Sequence, residues 1–86
     1  MGVLMKKLTV YSMKGCAQCL QAIALLDKKG VHYEVKKVDE DAYAFSYIQF
    51  LGLRSMPQIF LGDNLFVADG YKGLTKLTDE QWEALK

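Results

Sequence analysis

The 86-residue chain has only two cysteines, one proline and one histidine, and no apolar run near the roughly 20 residues needed to cross a bilayer. Cys16 and Cys19 are so close in sequence that linking them removes little chain entropy, which excludes the disulfide framework of a stapled extracellular mini-protein. An excess of charge is lacking too. Eleven basic residues against ten acidic ones leave a net charge of +1, without the electrostatic footprint of a dedicated DNA or RNA binder. The start, Met1-Gly2-Val3-Leu4-Met5-Lys6-Lys7, puts its charges after a short apolar stub instead of before a long one, unlike a secretory leader. The expectation is a cytoplasmic protein with neither nucleic acid nor membrane as partner, forming a single domain over residues 1–86 with residues 1–6 as a poorly ordered lead-in. A domain of this size buries only about 60 to 65% of its unfolded surface, so an economical core is required.

What is present alternates between strand and helix. Leu8-Thr9-Val10-Tyr11 reads as a strand, and Ser12-Met13-Lys14-Gly15 as the loop that closes it. From Cys16 to Lys29, Leu20, Ile23, Ala24 and Leu26 recur at helical spacing, Lys28 and Lys29 complement the dipole of the last turn, and Gly30 stands where a helix stops. The next segment, from Val31 to Val38, alternates as a half-buried strand, with Val31, Tyr33 and Val35 on one face. Asp39 is expected to cap a second helix running to about Leu51, with Asp41 in its first turn and Tyr43, Tyr47, Phe50 and Leu51 buried. After Pro57, Gln58–Leu61 and Leu65–Ala68 flank a Gly62-Asp63-Asn64 turn as an antiparallel hairpin. Thr78-Asp79-Glu80-Gln81 has capping-box spacing ahead of Trp82 and Leu85. The sum is an α/β domain of order βαβαββα, a mixed sheet of about four strands with helices on both faces.

Chemistry is carried by Cys16-Ala17-Gln18-Cys19, placed where the first loop turns into the first helix. Free backbone N–H groups and the positive dipole end favour a thiolate at Cys16, and Lys14 adds a cation. Such sites lower a thiol from about 8.5 into the range of roughly 3.5 to 7.5. Cys19, one turn deeper, keeps its proton longer, which suits a resolving thiol. Two other readings exist for such a pair. A closed zinc site needs two further N or S ligands, and the chain offers only His32, so no metal site is expected. Two inert buried cysteines are possible, but a pair after a glycine in a loop-to-helix turn, beside a lysine and in a β-α-β context, favours redox chemistry.

With these residues in place the chain resembles the glutaredoxins and the related NrdH-type redoxins that feed ribonucleotide reductase, both built on the thioredoxin fold. The resemblance covers Leu8 to Leu85 and rests on three landmarks in order: Tyr11-Ser12 leading into the cysteine pair, then Arg54-Ser55-Met56-Pro57-Gln58-Ile59-Phe60, then Gly70-Tyr71 with Leu74. It implies that Pro57 is cis and lies against the cysteines, and that the backbone of Met56 hydrogen-bonds an incoming thiol-bearing chain. Glutaredoxins typically carry a proline and an aromatic between the cysteines, and an acidic or polar pair after the later glycine. Here Ala17-Gln18 and Tyr71-Lys72-Gly73 stand instead. Gln18, Arg54 and Gly70-Tyr71-Lys72 are similar to the NrdH-type redoxins, whereas Met56–Phe60 is similar to the glutaredoxins.

The function implied is a dithiol thiol–disulfide oxidoreductase that reduces protein disulfides, with ribonucleotide reductase as the partner the family suggests. No cofactor is held permanently beyond the redox-active cysteine pair. Glutathione is the expected co-substrate, with thioredoxin reductase as the alternative electron source, and a monomer is expected. Two carboxylates and one ammonium on glutathione call for cations at one end of a site and acceptors at the other. Lys14 and Arg54 supply the first, and Asp69 is the nearby acid for the second. Gln18, Met56, Gly70, Tyr71 and Tyr11 complete the candidate binding set, although Tyr11 suits the core edge better than a ligand role, Tyr71 also suits packing, and Asp69 and Lys72 suit a solvated surface equally well. Two further readings belong to other classes: a glutathione-dependent iron–sulfur module, for which Ala17 leaves room, and a non-catalytic adaptor, which would need neither cysteine.

Overall fold

The computed structural model describes residues 7–86; the lead-in expected over residues 1–6 lies outside them. Strand β1 (Lys7–Ser12) is followed by α1 (Ala17–Lys29), β2 (His32–Lys37), α2 (Ala42–Phe50), β3 (Gln58–Leu61), β4 (Asn64–Leu65), α3 (Tyr71–Thr75) and α4 (Asp79–Glu83). The sheet order is β2-β1-β3-β4, with β1 parallel to β2 and antiparallel to β3, and β3 antiparallel to β4. This is the expected mixed four-stranded sheet of a thioredoxin-like fold, with helices on both faces.

Strand alternation divides the core in two. Leu8, Val10 and Ile59 point to the face covered by α1, α3 and α4, where they join Ala22, Leu26, Leu74, Trp82 and Leu85. Tyr11 and Phe60 point to the other face and meet Ala44 and Ile48 of α2. Gly30 adopts the left-handed conformation that ends α1, and the Thr78–Gln81 capping box starts α4, both as the sequence implies. Lys29 lies 5.5 Å over the Trp82 ring, tying the end of α1 to α4.

Four expectations are corrected. Leu20 is 70% exposed and Ala24 is exposed, whereas Cys19, Ala22 and Leu26 form the buried stripe of α1. In α2, Tyr43 and Phe50 are 90% and 85% exposed and Leu51 is also outside, while Ala44 and Ile48 are buried and Tyr47 is half-buried. Each helix turns an alanine into the core, Ala22 on α1 and Ala44 on α2, while Leu20 on α1 and Tyr43, Phe45 and Phe50 on α2 stay outside. The cap of α2 is Asp41, whose carboxylate accepts from the N–H groups of Tyr43 and Ala44. A turn closed by the Asp41 N–H on the Lys37 carbonyl delays the helix, and Asp39 instead accepts from the Lys14 N–H at 3.3 Å. The second hairpin arm is also shorter than expected, because regular pairing stops after Leu65.

Candidate active site

The loop from β1 into α1 is held from both ends. The Val38 N–H bonds to the Ser12 carbonyl, the Lys14 N–H bonds to Asp39, and Gly15 takes a φ of +76° that favours glycine. Cys16 is thereby set at the N-cap of α1, half-buried, with the Cys19 N–H directed at its Sγ from 3.1 Å. Cys19 is 1% exposed. The two are joined as a disulfide, with Cα atoms 5.2 Å apart. One sulfur faces the surface and the other the core.

Opposite the cysteines, the Met56–Pro57 peptide bond is cis, as the resemblance implies, and the Met56 carbonyl oxygen lies 3.7 Å from Cys16 Sγ. Gln58 steadies this loop by donating its side-chain amide to the Ser55 carbonyl at 2.7 Å. Gly70, the residue before α3, packs against it so closely that a Cβ there would sit 2.5 Å from the Pro57 carbonyl oxygen. Only glycine permits this approach, so the later glycine of the sequence motif is tied to the proline loop.

Three grooves surround the Cys16–Met56 contact. One of about 310 Å³ is lined by Gln18, Ser55, Met56, Pro57, Asp69 and Lys72. A second, of about 390 Å³, brings Lys14 beside Cys16 and Leu20. The third, of about 470 Å³, runs past Arg54 and Met56 to α2. Most of the candidate binding residues therefore gather around the exposed sulfur, and each groove carries a cation. Two tyrosines do not line them. Tyr11 is 6% exposed within an aromatic group with Tyr47 and Phe60, at centroid distances of 6.0 and 5.4 Å; burial, followed by Tyr47 nearby, raises its pKa above the ordinary value. Tyr71 packs on the α1-side core. Ser55 and Lys72 lie outside the candidate set although they line a groove; the sequence shows Lys72 as part of the Gly70-Tyr71-Lys72 stretch but equally as a solvated surface residue, and the Gly70–Pro57 contact brings its turn to the site. Among the described residues no group of three or more His, Cys, Asp or Glu side chains is arranged to hold a metal ion, and no helix is long and apolar enough to cross a membrane.

The glutaredoxin family model matches residues 8–66. A glutaredoxin of Neisseria meningitidis is 37% identical over 78 residues, 88% of this chain and 89% of its own. A probable glutaredoxin of Synechocystis is 37% identical over 59 residues, 66% of this chain and 67% of its own. Among solved structures, a buckwheat glutaredoxin–glutathione complex matches with a TM-score of 0.69 at 23% identity, over 91% of this chain and 74% of that one. The holo form of a glutaredoxin from Populus tremula x tremuloides matches at 0.67 and 21%, over 94% and 73%. The two structures share the fold. The chain belongs to the glutaredoxin family and is a thiol–disulfide oxidoreductase whose redox pair is Cys16 and Cys19.

Proposed function

We propose that this glutaredoxin reduces protein disulfides by a two-cysteine cycle, with Cys16 as nucleophile and Cys19 as resolving thiol. The observation that carries the assignment is their asymmetry: Cys16 is half-buried at the helix N-cap and receives the Cys19 N–H, whereas Cys19 is buried. Both features favour negative charge on Cys16 first. Its thiolate attacks one sulfur of the substrate disulfide; that S–S bond breaks, a Cys16–substrate bond forms, and the departing thiolate takes up a proton. Cys19, having released its proton, then attacks the Cys16 sulfur and frees the second substrate thiol. The substrate gains two electrons and two protons, and the protein is left as the Cys16–Cys19 disulfide.

Two glutathione thiols reverse this in the same way, the first forming a mixed disulfide at Cys16 and the second leaving as glutathione disulfide. Support for glutathione comes from the charges in the grooves beside Cys16 and Met56: Lys14, Arg54 and Lys72 for its carboxylates, and Asp69 for its ammonium. The Met56 backbone before Pro57 offers an edge for strand-like pairing, and the Gln18 amide a further polar contact. Gly70 acts by admitting the proline loop, and Tyr11 and Tyr71 act through packing. Thioredoxin reductase is the second reading, favoured by Lys72 standing where the family resemblance suggests an acidic or polar residue. An iron–sulfur cluster shared between protomers would draw on Cys16 alone, because Cys19 is buried, and the pairing of the two sulfurs favours the dithiol cycle. Ribonucleotide reductase is the proposed substrate, and a monomer in the reducing cytoplasm the proposed setting.

The test supplies the oxidised protein with NADPH and either glutathione plus glutathione reductase or thioredoxin reductase. Reduction by the first system is expected; failure of both overturns the reading. Cys16→Ser should abolish turnover of protein disulfides, and Cys19→Ser should accumulate a mixed disulfide detectable as added mass. Alkylation of reduced Cys16 should show a midpoint below the ordinary thiol value of about 8.5.

A further inference from the structure

The largest of the three grooves offers apolar walls that glutathione, whose three residues carry no apolar side chain, leaves unused beyond its contact with Arg54. Its walls are mainly apolar and come from three separate segments: Met13 of the loop before Cys16, Phe45 and Ile48 of α2, and Leu53 and Met56 of the stretch before the cis-proline. Met13 is 43% exposed and Phe45 50%. The segments are held in place: Asp39 fixes the Lys14 N–H beside Met13, Asp41 caps α2, and the Leu53 N–H bonds to the Ile48 carbonyl at 3.1 Å. Arg54 is the only charged residue lining the groove, and none of the ion pairs among the described residues involves it. The groove reaches the redox centre through Met56, whose carbonyl lies 3.7 Å from Cys16 Sγ.

We propose that this groove seats a polypeptide substrate, taking an apolar side chain next to the substrate's cysteine between Met13 and Phe45, with an acidic residue beside it meeting Arg54. The inference rests on the disulfide-reductase reading and adds partner selectivity to it. Burying an apolar side chain against such walls strengthens association of a protein disulfide, and a carboxylate at the groove rim adds charge complementarity. Bis(2-hydroxyethyl) disulfide gains neither and glutathione only the charge contact, so the apolar walls separate protein substrates from glutathione at a shared sulfur.

The experiment compares three disulfides at equal concentration with the full chain: bis(2-hydroxyethyl) disulfide, a symmetric peptide disulfide with Leu and Glu flanking each cysteine, and the same peptide with Ser and Lys. The Leu/Glu peptide should show a KM about tenfold below that of the Ser/Lys peptide, roughly what partial burial of one leucine provides. Phe45→Ser, at an exposed position, should remove most of that difference while leaving bis(2-hydroxyethyl) disulfide turnover unchanged. Arg54→Glu should shift the preference toward Lys at the flanking position. Equal KM values for the two peptides, or a Phe45→Ser loss that is the same for all three disulfides, would overturn the proposal. So would a concentration-dependent dimer in sedimentation that Phe45→Ser dissociates, since a second copy would then occupy the groove. Failure to reduce even the small disulfide overturns the underlying reductase reading instead.

Discussion

On one face of the sheet, Leu8, Val10 and Ile59 lie under α1, α3 and α4, each of the three fully buried. On the other, Tyr11 and Phe60 lie under α2 alone, which leaves Tyr43, Phe45 and Phe50 outside. The first face is sealed by helices from both halves of the chain, with Trp82 and Leu85 closing its end. The second is only partly covered, and its open margin adjoins the exposed sulfur. A domain this small has little surface to bury, and here stability is concentrated on one face while apolar surface on the other remains available to partners. The cysteines follow the same division, with Cys19 buried and Cys16 at the surface.

Truncating one side chain on each face tests this division most directly. Leu26→Ala on α1 removes a fully buried side chain and should cost about 2 to 5 kcal/mol, measured by urea unfolding. Phe50→Ser on α2 removes a larger but 85% exposed one and should change stability by no more than about 0.5 kcal/mol. A large loss from Phe50→Ser would mean that the α2 face is closed in solution and that the division between the faces is wrong.

The order of the elements and the faces of the helices differ in how far the sequence shows them. Alternating residues in β1 and β2, Gly30, and the Thr78–Gln81 box convey element order because each acts over a few neighbouring residues. Helix faces are different. Leu20, Tyr43 and Phe50 are as apolar as the residues that end up buried, and which stripe faces the sheet depends on how closely the helix approaches it. Ala22 and Ala44 mark that approach, but alanine carries little hydrophobic signal in a sequence. The site divides the same way: Cys16, Cys19 and Pro57 are visible as local motifs, whereas the Gly70–Pro57 contact and the grouping of Asp69 and Lys72 with Ser55 and Met56 join segments more than ten residues apart.

A smaller effect is expected at the start of α2. The Asp41 carboxylate accepts from Tyr43 and Ala44 at 3.0 and 3.1 Å, so it fixes the helix that forms one wall of the open face. Asp41→Ala should cost about 1 kcal/mol. Asp39→Ala, by contrast, leaves that cap intact and frees only the Lys14 N–H. Its expected consequence is a change in Cys16 alkylation rate with little change in the urea midpoint. If Asp39→Ala destabilised the protein as much as Asp41→Ala, the assignment of the cap would fail.

The smallest effect separates the faces by the reason two tyrosines hold their protons. Tyr11, on the α2 side, has its pKa raised first by burial and then by Tyr47. Tyr33, whose ring packs beside the α1-side core, has its pKa raised first by donating its hydroxyl to the Asp27 carboxylate at 2.6 Å. In both, the folded state favours the protonated form, so the stabilisation is fully present below the unfolded value of about 10 and is lost as pH rises through the higher folded value. Tyrosinate absorbance should therefore develop late for both residues. Asp27→Asn removes the charged acceptor and should bring Tyr33 back toward the ordinary value, leaving Tyr11 unmoved, while Tyr11→Phe should remove only the Tyr11 step. If Asp27→Asn shifted both steps together, the two tyrosines would be coupled across the sheet, and the two faces could not be treated as independent.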